Sequence, residues 1–205
     1  TDGPHALAAH CASRFPGARI VEIGLGDRTA ELGRNRWECG VEDATGFETC
    51  LRPYDDVDSV LFLSEETALD LDRPARGELQ FLRLAKALRA KLTDTDGVDC
   101  FVVTTDCHRV DDKESNPAGG GLTGLAYSLA QGDHRFRVRN IDVAREDADS
   151  GTHAAALFDG ILAEPASHRG KVVKLQSGRR YRQVLLPLTW PGEAPWGFRR
   201  RGLYV

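Results

Sequence analysis

Two glycine clusters, one Cys-His pair and four tyrosines are the residues of this chain whose types and spacing could carry chemistry. Gly24-Leu25-Gly26 follows the β-branched run Ala18-Arg-Ile-Val-Glu-Ile-Gly24, as a phosphate turn follows the first strand of a dinucleotide-binding fold. The third glycine of that fingerprint is due at position 29, which is Thr29. From Asp27 to Arg36 there is also no sustained apolar stripe to build the helix whose N-terminus would face a pyrophosphate. Asp27 adds a repelling charge, so the spacing favours a plain tight turn. The second cluster, Asn116-Pro-Ala-Gly-Gly-Gly121, opens a helix whose first N–H groups could hold an anion. Small residues there more simply let the helix approach its neighbour, and the chain has no Gly-Lys-Ser or Gly-Lys-Thr of a P-loop.

Reduction by a short-chain reductase needs a tyrosine acid with a lysine four residues on, whose charge lowers the phenol pKa. Position +4 holds Asp58 after Tyr54, Gln131 after Tyr127 and Leu185 after Tyr181, and Tyr204 stands too near the end to have one. No pair qualifies. The serine elbow Gly-x-Ser-x-Gly is absent. Cys107-His108 offers a nucleophile and base or two metal ligands, but adjacent residues on an extended chain point to opposite faces. Asp55, Asp56 and Asp58 read as a solvated turn, and Arg199-Arg200-Arg201 as a solvated basic connection. Five cysteines without a Cys-x-x-Cys pair predict neither a complete disulfide set nor a zinc site, and point to reduced thiols in the cytoplasm. The residues thus predict no catalytic, cofactor-binding or metal-binding site.

The elements that would position any site alternate between helix and strand. Helices are expected from Pro4 to about Arg14, weakly over Glu42 to Leu51, over Gly77 to Leu92, Pro117 to Ala130 and Thr152 to Ala163. Strands are expected over Ala18 to Gly24, Trp37 to Val41, Val57 to Leu63, Val98 to Thr104 and Phe136 to Val143. Lys171 to Leu175 and Tyr181 to Leu186 flank the turn Gln176-Ser-Gly178. In the third helix Leu82, Ala85, Leu88 and Leu92 are read as the buried stripe, and in the fourth Leu122, Leu125, Ala126 and Leu129. The order predicts an α/β fold with a mostly parallel sheet covered by helices on both sides and a C-terminal hairpin.

At 205 residues the chain is long enough to remove roughly 70% of its unfolded surface from water as one domain. Apolar residues make up 41% and charged residues 28%, which excludes low-complexity disorder. A net charge of -4 argues against a nucleic-acid surface. Apolar runs such as Val60 to Leu63 fall far short of the ~20 residues a bilayer requires. No signal peptide is expected, and a start at Thr1 without any methionine reads as a processed or excised chain.

The order of these pieces resembles the structural subdomain of the ketoreductase in type I modular polyketide synthases. The likeness is carried by Ile20 to Gly26 with Gly33-Arg-Asn-Arg-Trp37, and by Ser59-Val-Leu-Phe-Leu63 with the helix Gly77 to Leu92. Phe101-Val-Val-Thr104, Asn116 to Ala126 and Arg137 to Asp142 form its most recognisable block, and Gly178-Arg-Arg-Tyr181 through Leu188 its close. The Asn116 block is similar to trans-acyltransferase assembly lines in particular. Asp106-Cys107-His108 departs from the more apolar or small stretch of many relatives.

The resemblance implies a truncated Rossmann-like fold, related to short-chain dehydrogenases, that binds no cofactor and scaffolds a catalytic half. That half binds NADPH and reduces the β-keto group of a carrier-bound acyl chain. Residues 1–190 would be the structural subdomain. Residues 191–205 would be a linker and, at Gly202-Leu-Tyr-Val205, a first strand leading into the catalytic half. Ser115 and Gly119 stand near where the reductase tyrosine and its partner would be. Leu186, Leu188, Leu203, Tyr204 and Val205 are the expected contact with the catalytic half, and neighbouring synthase domains the expected partners. Alternatives are a pseudo-ketoreductase remnant supporting a methyltransferase or dehydratase, and an independent NAD(P)-dependent oxidoreductase using Gly24 and Gly26.

Overall fold

In the computed structural model, which describes residues 3–64, 76–110, 115–149, 154–166, 169–184 and 186–187, the chain begins with α1 (Gly3–Arg14), β1 (Glu22–Gly26), β2 (Ala30–Gly33) and β3 (Arg36–Gly40). It continues with α2 (Gly46–Leu51), β4 (Ser59–Leu63), α3 (Arg76–Arg89) and β5 (Val98–Thr105). A 3-10 turn (Pro117–Gly119) leads into α4 (Gly120–Gly132), followed by β6 (Phe136–Val143), α5 (Arg145–Ala148) and α6 (Ala154–Leu162). The hairpin β7 (Val172–Gln176) and β8 (Arg179–Arg182) follows.

The strands make two sheets rather than one. β4-β5-β6-β7-β8 form a five-stranded sheet, parallel except for β8. β1-β3-β2 form a separate sheet, with β1 parallel and β2 antiparallel to β3. The expected mostly parallel sheet with its C-terminal hairpin is the larger one, and the first three strands stand apart from it: β2 pairs back onto β3 through the turn at Asn35 (φ +60) and occupies its second edge. Strand β1 also starts later than expected: Glu22 N–H bonds Asn35 O at 2.9 Å, so pairing begins only there and runs through Gly26.

β5 is buried along nearly its whole length, as a central parallel strand must be. On one face Val98, Cys100 and Val102 with Phe136 and Val138 meet Phe81, Leu84 and Leu88 of α3 and Leu122 and Ala126 of α4. Cys39, Phe47, Cys50 and Leu51 of β3 and α2 close the same core from beyond α3. A fully buried side chain of this size contributes about 1.5–3 kcal/mol. The expected stripe of α3 needs correction: Leu82 is 44% exposed, while Phe81, Leu84, Ala85, Ala87 and Leu88 are buried. Because α3 is wedged between the large sheet and α2, its buried arc is rotated and widened. On the other face Phe101, Val103, Ile141 and Val143 meet Ile161 of α6, and α1 packs on α6 through His10 and Phe158.

That placement has a topological consequence. β4, β5, β6 and β7 step across the sheet in one direction, yet α3 and α4 cover one face and α6 the other. The β6–α6–β7 crossover therefore has the opposite hand to the two before it, an exception to a rule that parallel crossovers otherwise obey almost without fail. The hairpin is closed by Ser177 and Gly178 at φ +51 and +69, the two positive values a two-residue turn needs for the strand twist. Residues 191–205, expected as linker and strand, lie outside the described residues.

Candidate functional site

The carboxyl ends of β5, β6 and β7 carry one polar side chain each at a common register: Thr104 stands opposite Asp142, and Asp142 opposite Lys174. All three are buried. A carboxylate with no solvent is tolerable only if its oxygens are filled, and here they are. Asp142 Oδ1 accepts from Thr104 Oγ1 at 3.1 Å and from the Cys107 N–H at 2.9 Å. Its Oδ2 accepts from the His108 N–H at 2.9 Å and from Lys174 Nζ at 3.1 Å.

Asp106 makes this possible. Its left-handed backbone (φ +54), which aspartate adopts more readily than most residues, turns the chain at the end of β5. Two successive N–H groups then point at Asp142 as a small anion nest. Its side chain shares the buried cation, with Lys174 Nζ 3.3 Å from Oδ1, and its Oδ2 accepts the Arg145 N–H at 3.3 Å. Beside the cluster lies a cleft of about 320 Å³ lined by Asp106, His108, Arg145, Glu146, Lys174 and Gln176, among others.

Cys107 and His108 flank this cluster. Burial pushes the Cys107 thiol up, away from the reactive thiolate, and its sulfur lies 3.9 Å from Thr105 O. His108 turns its Nδ1 toward Asp142 Oδ2 at 3.8 Å, too far for a hydrogen bond, and that nitrogen is buried with no hydrogen-bond partner among the described residues. Cys107 and His108 thus meet different neighbours. Among the described residues no three His, Cys, Asp or Glu side chains gather as a metal site would require.

Gly26, Gly119 and Gly121 of the two clusters sit where their neighbours leave no room for a side chain. Gly24 and Gly26 sit inside β1, paired with Glu38 and Gly40, instead of in a turn after it. A Cβ on Gly26 would come 2.3 Å from the Glu38 side chain, which lies across it. The next element is β2, where the dinucleotide fingerprint needs a helix. At the second cluster Asn116 Oδ1 accepts the Ala118 N–H at 3.1 Å, capping the turn with the chain's own side chain. Gly119 lets that turn press on the strand ends, since a Cβ there would meet Cys107 Sγ at 2.4 Å. Gly121 does the same for Glu78 of α3.

Of the expected contact residues, Leu186 is 81% exposed, and Val184, which the sequence reading did not single out, is 59% exposed. Leu188, Leu203, Tyr204 and Val205 lie outside the described residues. Asp142 and Lys174 also escaped the sequence reading. Their one signal is a charge at the end of an otherwise apolar strand.

No protein-family model matches the sequence, and no curated protein matches it. Solved structures do share its fold. An adenylation, ketoreductase and pseudo-Asub multidomain structure of a keto acid-selecting NRPS module matches at TM-score 0.71 and 19% identity, over 90% of this chain and 16% of that one. An N-terminal ketoreductase from a macrolactin assembly line matches at TM-score 0.61 and 10% identity, over 89% of this chain and 38% of that one. A short-chain dehydrogenase from Mycobacterium avium matches at TM-score 0.54 and 15% identity, over 96% and 86%. The chain thus has a Rossmann-like, ketoreductase-like fold and spans well under half of the first two proteins. Among the described residues no helix is long and apolar enough to cross a membrane.

Proposed function

We propose that this chain is the structural, non-catalytic half of an assembly-line ketoreductase. It braces a catalytic half that binds NADPH and reduces the β-keto group of a carrier-bound acyl chain. The observation that carries this reading is the filled carboxylate of Asp142. In open α/β sheets ligands bind outside the carboxyl ends of the strands, and here that position is occupied by the chain's own Thr104, Asp106, His108 backbone and Lys174. The location of Gly24 and Gly26 within β1 and the lack of a Tyr-Lys pair at the four-residue spacing support it further. They weigh equally against an independent NAD(P)-dependent oxidoreductase.

Bracing works by mass action: a partner that binds the folded catalytic half and not its unfolded form raises its stability. Val184 and Leu186, exposed beyond the β8 edge, are the described residues best suited to that contact, with Leu188, Leu203, Tyr204 and Val205 as its continuation. The test has two arms. Titration calorimetry of this chain with NADPH is expected to give no saturable heat, and micromolar binding would overturn the proposal. Mixed with the separately expressed catalytic half of the same module, the chain is expected to raise that half's melting temperature. Leu186→Asp should weaken this effect while leaving the chain's own stability within about 0.5 kcal/mol. Stabilisation of a neighbouring methyltransferase or dehydratase instead would identify a pseudo-ketoreductase remnant.

A further inference from the structure

Two sulfurs away from the strand-end cluster are brought together by the small sheet. Cys39 lies on β3 and Cys50 in the last turn of α2, and both are fully buried free thiols. Gly46, one turn before Cys50 and so on the same face of α2, is packed so closely that a Cβ there would stand 2.6 Å from Cys39 Sγ. Cys50 Sγ lies 3.9 Å from the carbonyl of Glu38, the residue before Cys39, and its thiol donates to that oxygen.

We propose that Cys39 and Cys50 form a dithiol that closes to an intramolecular disulfide, tying β3 to α2, when the chain meets a small-molecule disulfide such as oxidised glutathione. The order of events follows from the surroundings. The neighbouring Cys50 thiol, helped by the Arg83 guanidinium and opposed by burial and Asp43, lowers Cys39, which makes Cys39 the attacking thiolate. Cys50 is raised by the nearness of Cys39 and by burial. Cys39 attacks one sulfur of oxidised glutathione, breaks its S–S bond and releases one glutathione thiolate. Capping Cys39 removes the negative charge beside Cys50. Cys50 then loses its proton to solvent, attacks Cys39 Sγ and expels the second glutathione thiolate. The two protein thiols are oxidised by two electrons, and the oxidant ends as two molecules of glutathione.

Neither sulfur touches solvent in the closed fold. α2 has six residues, too few to hold a helix without packing, so the oxidant enters when α2 opens locally. The experiment incubates the native chain with oxidised glutathione, quenches it in acid, and alkylates remaining thiols in denaturant before mass mapping. Three of the five cysteines are expected to be alkylated, with a 39–50 link and the loss of two hydrogens. Amide exchange across residues 46–51 is expected to slow roughly tenfold, and Cys50→Ser to stop at a glutathione adduct on Cys39. The proposal is overturned if all five thiols stay alkylatable under conditions that oxidise the unfolded chain, or if the link joins other cysteines. The wild-type map decides the matter even where the Cys50→Ser chain does not fold.

Discussion

Lys174 and Asp142 face each other across the β6–β7 register with Nζ 3.1 Å from Oδ2, and both side chains are buried, at 6% and 0% exposure. The pair is the electrostatic centre of the strand ends. Asp142→Ala strips Lys174 of its most buried partner and leaves the N–H groups of Cys107 and His108 without an acceptor. Urea denaturation is expected to show a loss of about 3–5 kcal/mol. Adding Lys174→Met to that variant should recover about 1 kcal/mol or more, because it removes the stranded cation. A loss below about 1 kcal/mol for Asp142→Ala would mean that the carboxylate does not organise this end of the sheet.

Gly119 has a negative φ (-90), which residues with side chains also adopt, so its need for glycine is steric alone. A methyl group there meets Cys107 Sγ at 2.4 Å and Thr104 Cγ2 at 3.0 Å. Gly119→Ala should cost about 1–3 kcal/mol through overpacking. Cys107→Ala in the same chain should restore much of it by removing the nearer obstacle. Equal melting temperatures for the single and double variants would contradict this.

Acid stability should depend on two arginine-held carboxylates. The Arg135 guanidinium, with Nη2 2.6 Å from Asp133 Oδ2, holds that carboxyl at about 2. Arg137 and then Arg139 lower Asp99. A carboxyl whose folded pKa lies below its unfolded value near 3.9 contributes stability that is complete above about pH 5. That contribution is lost as the pH falls toward the folded value. Unfolding free energy should thus decline between about pH 5 and pH 2, and Arg135→Leu should flatten that limb while lowering stability at pH 7. Parallel limbs for the two chains would rule the Asp133 pairing out as a cause.

Much of the architecture was legible because its signals are local. β6 runs from Phe136 to Val143 as its pattern predicts, and the Ser177-Gly178 turn sits where glycine permits positive φ. Leu122 and Ala126 of α4 are fully buried as their spacing requires. The failures have non-local causes. Leu82 is exposed against its spacing because α3 is contacted from two sides, which only packing determines. Gly24 and Gly26 read as a turn because nothing in their neighbourhood announces that Arg36–Gly40 will pair with them.

By itself the sequence determined the alternation of helices and strands, and with it the α/β class, because side-chain periodicity is written along the chain. It also determined that no tyrosine has a lysine four residues on, since that is a matter of spacing. The tertiary structure alone decided which charges are buried and what holds them. Thr104 and Asp142 are 38 residues apart and Asp142 and Lys174 are 32 apart. Their meeting depends on the register of three parallel strands, which is set by the cores on both faces of the sheet and not by any residue beside them.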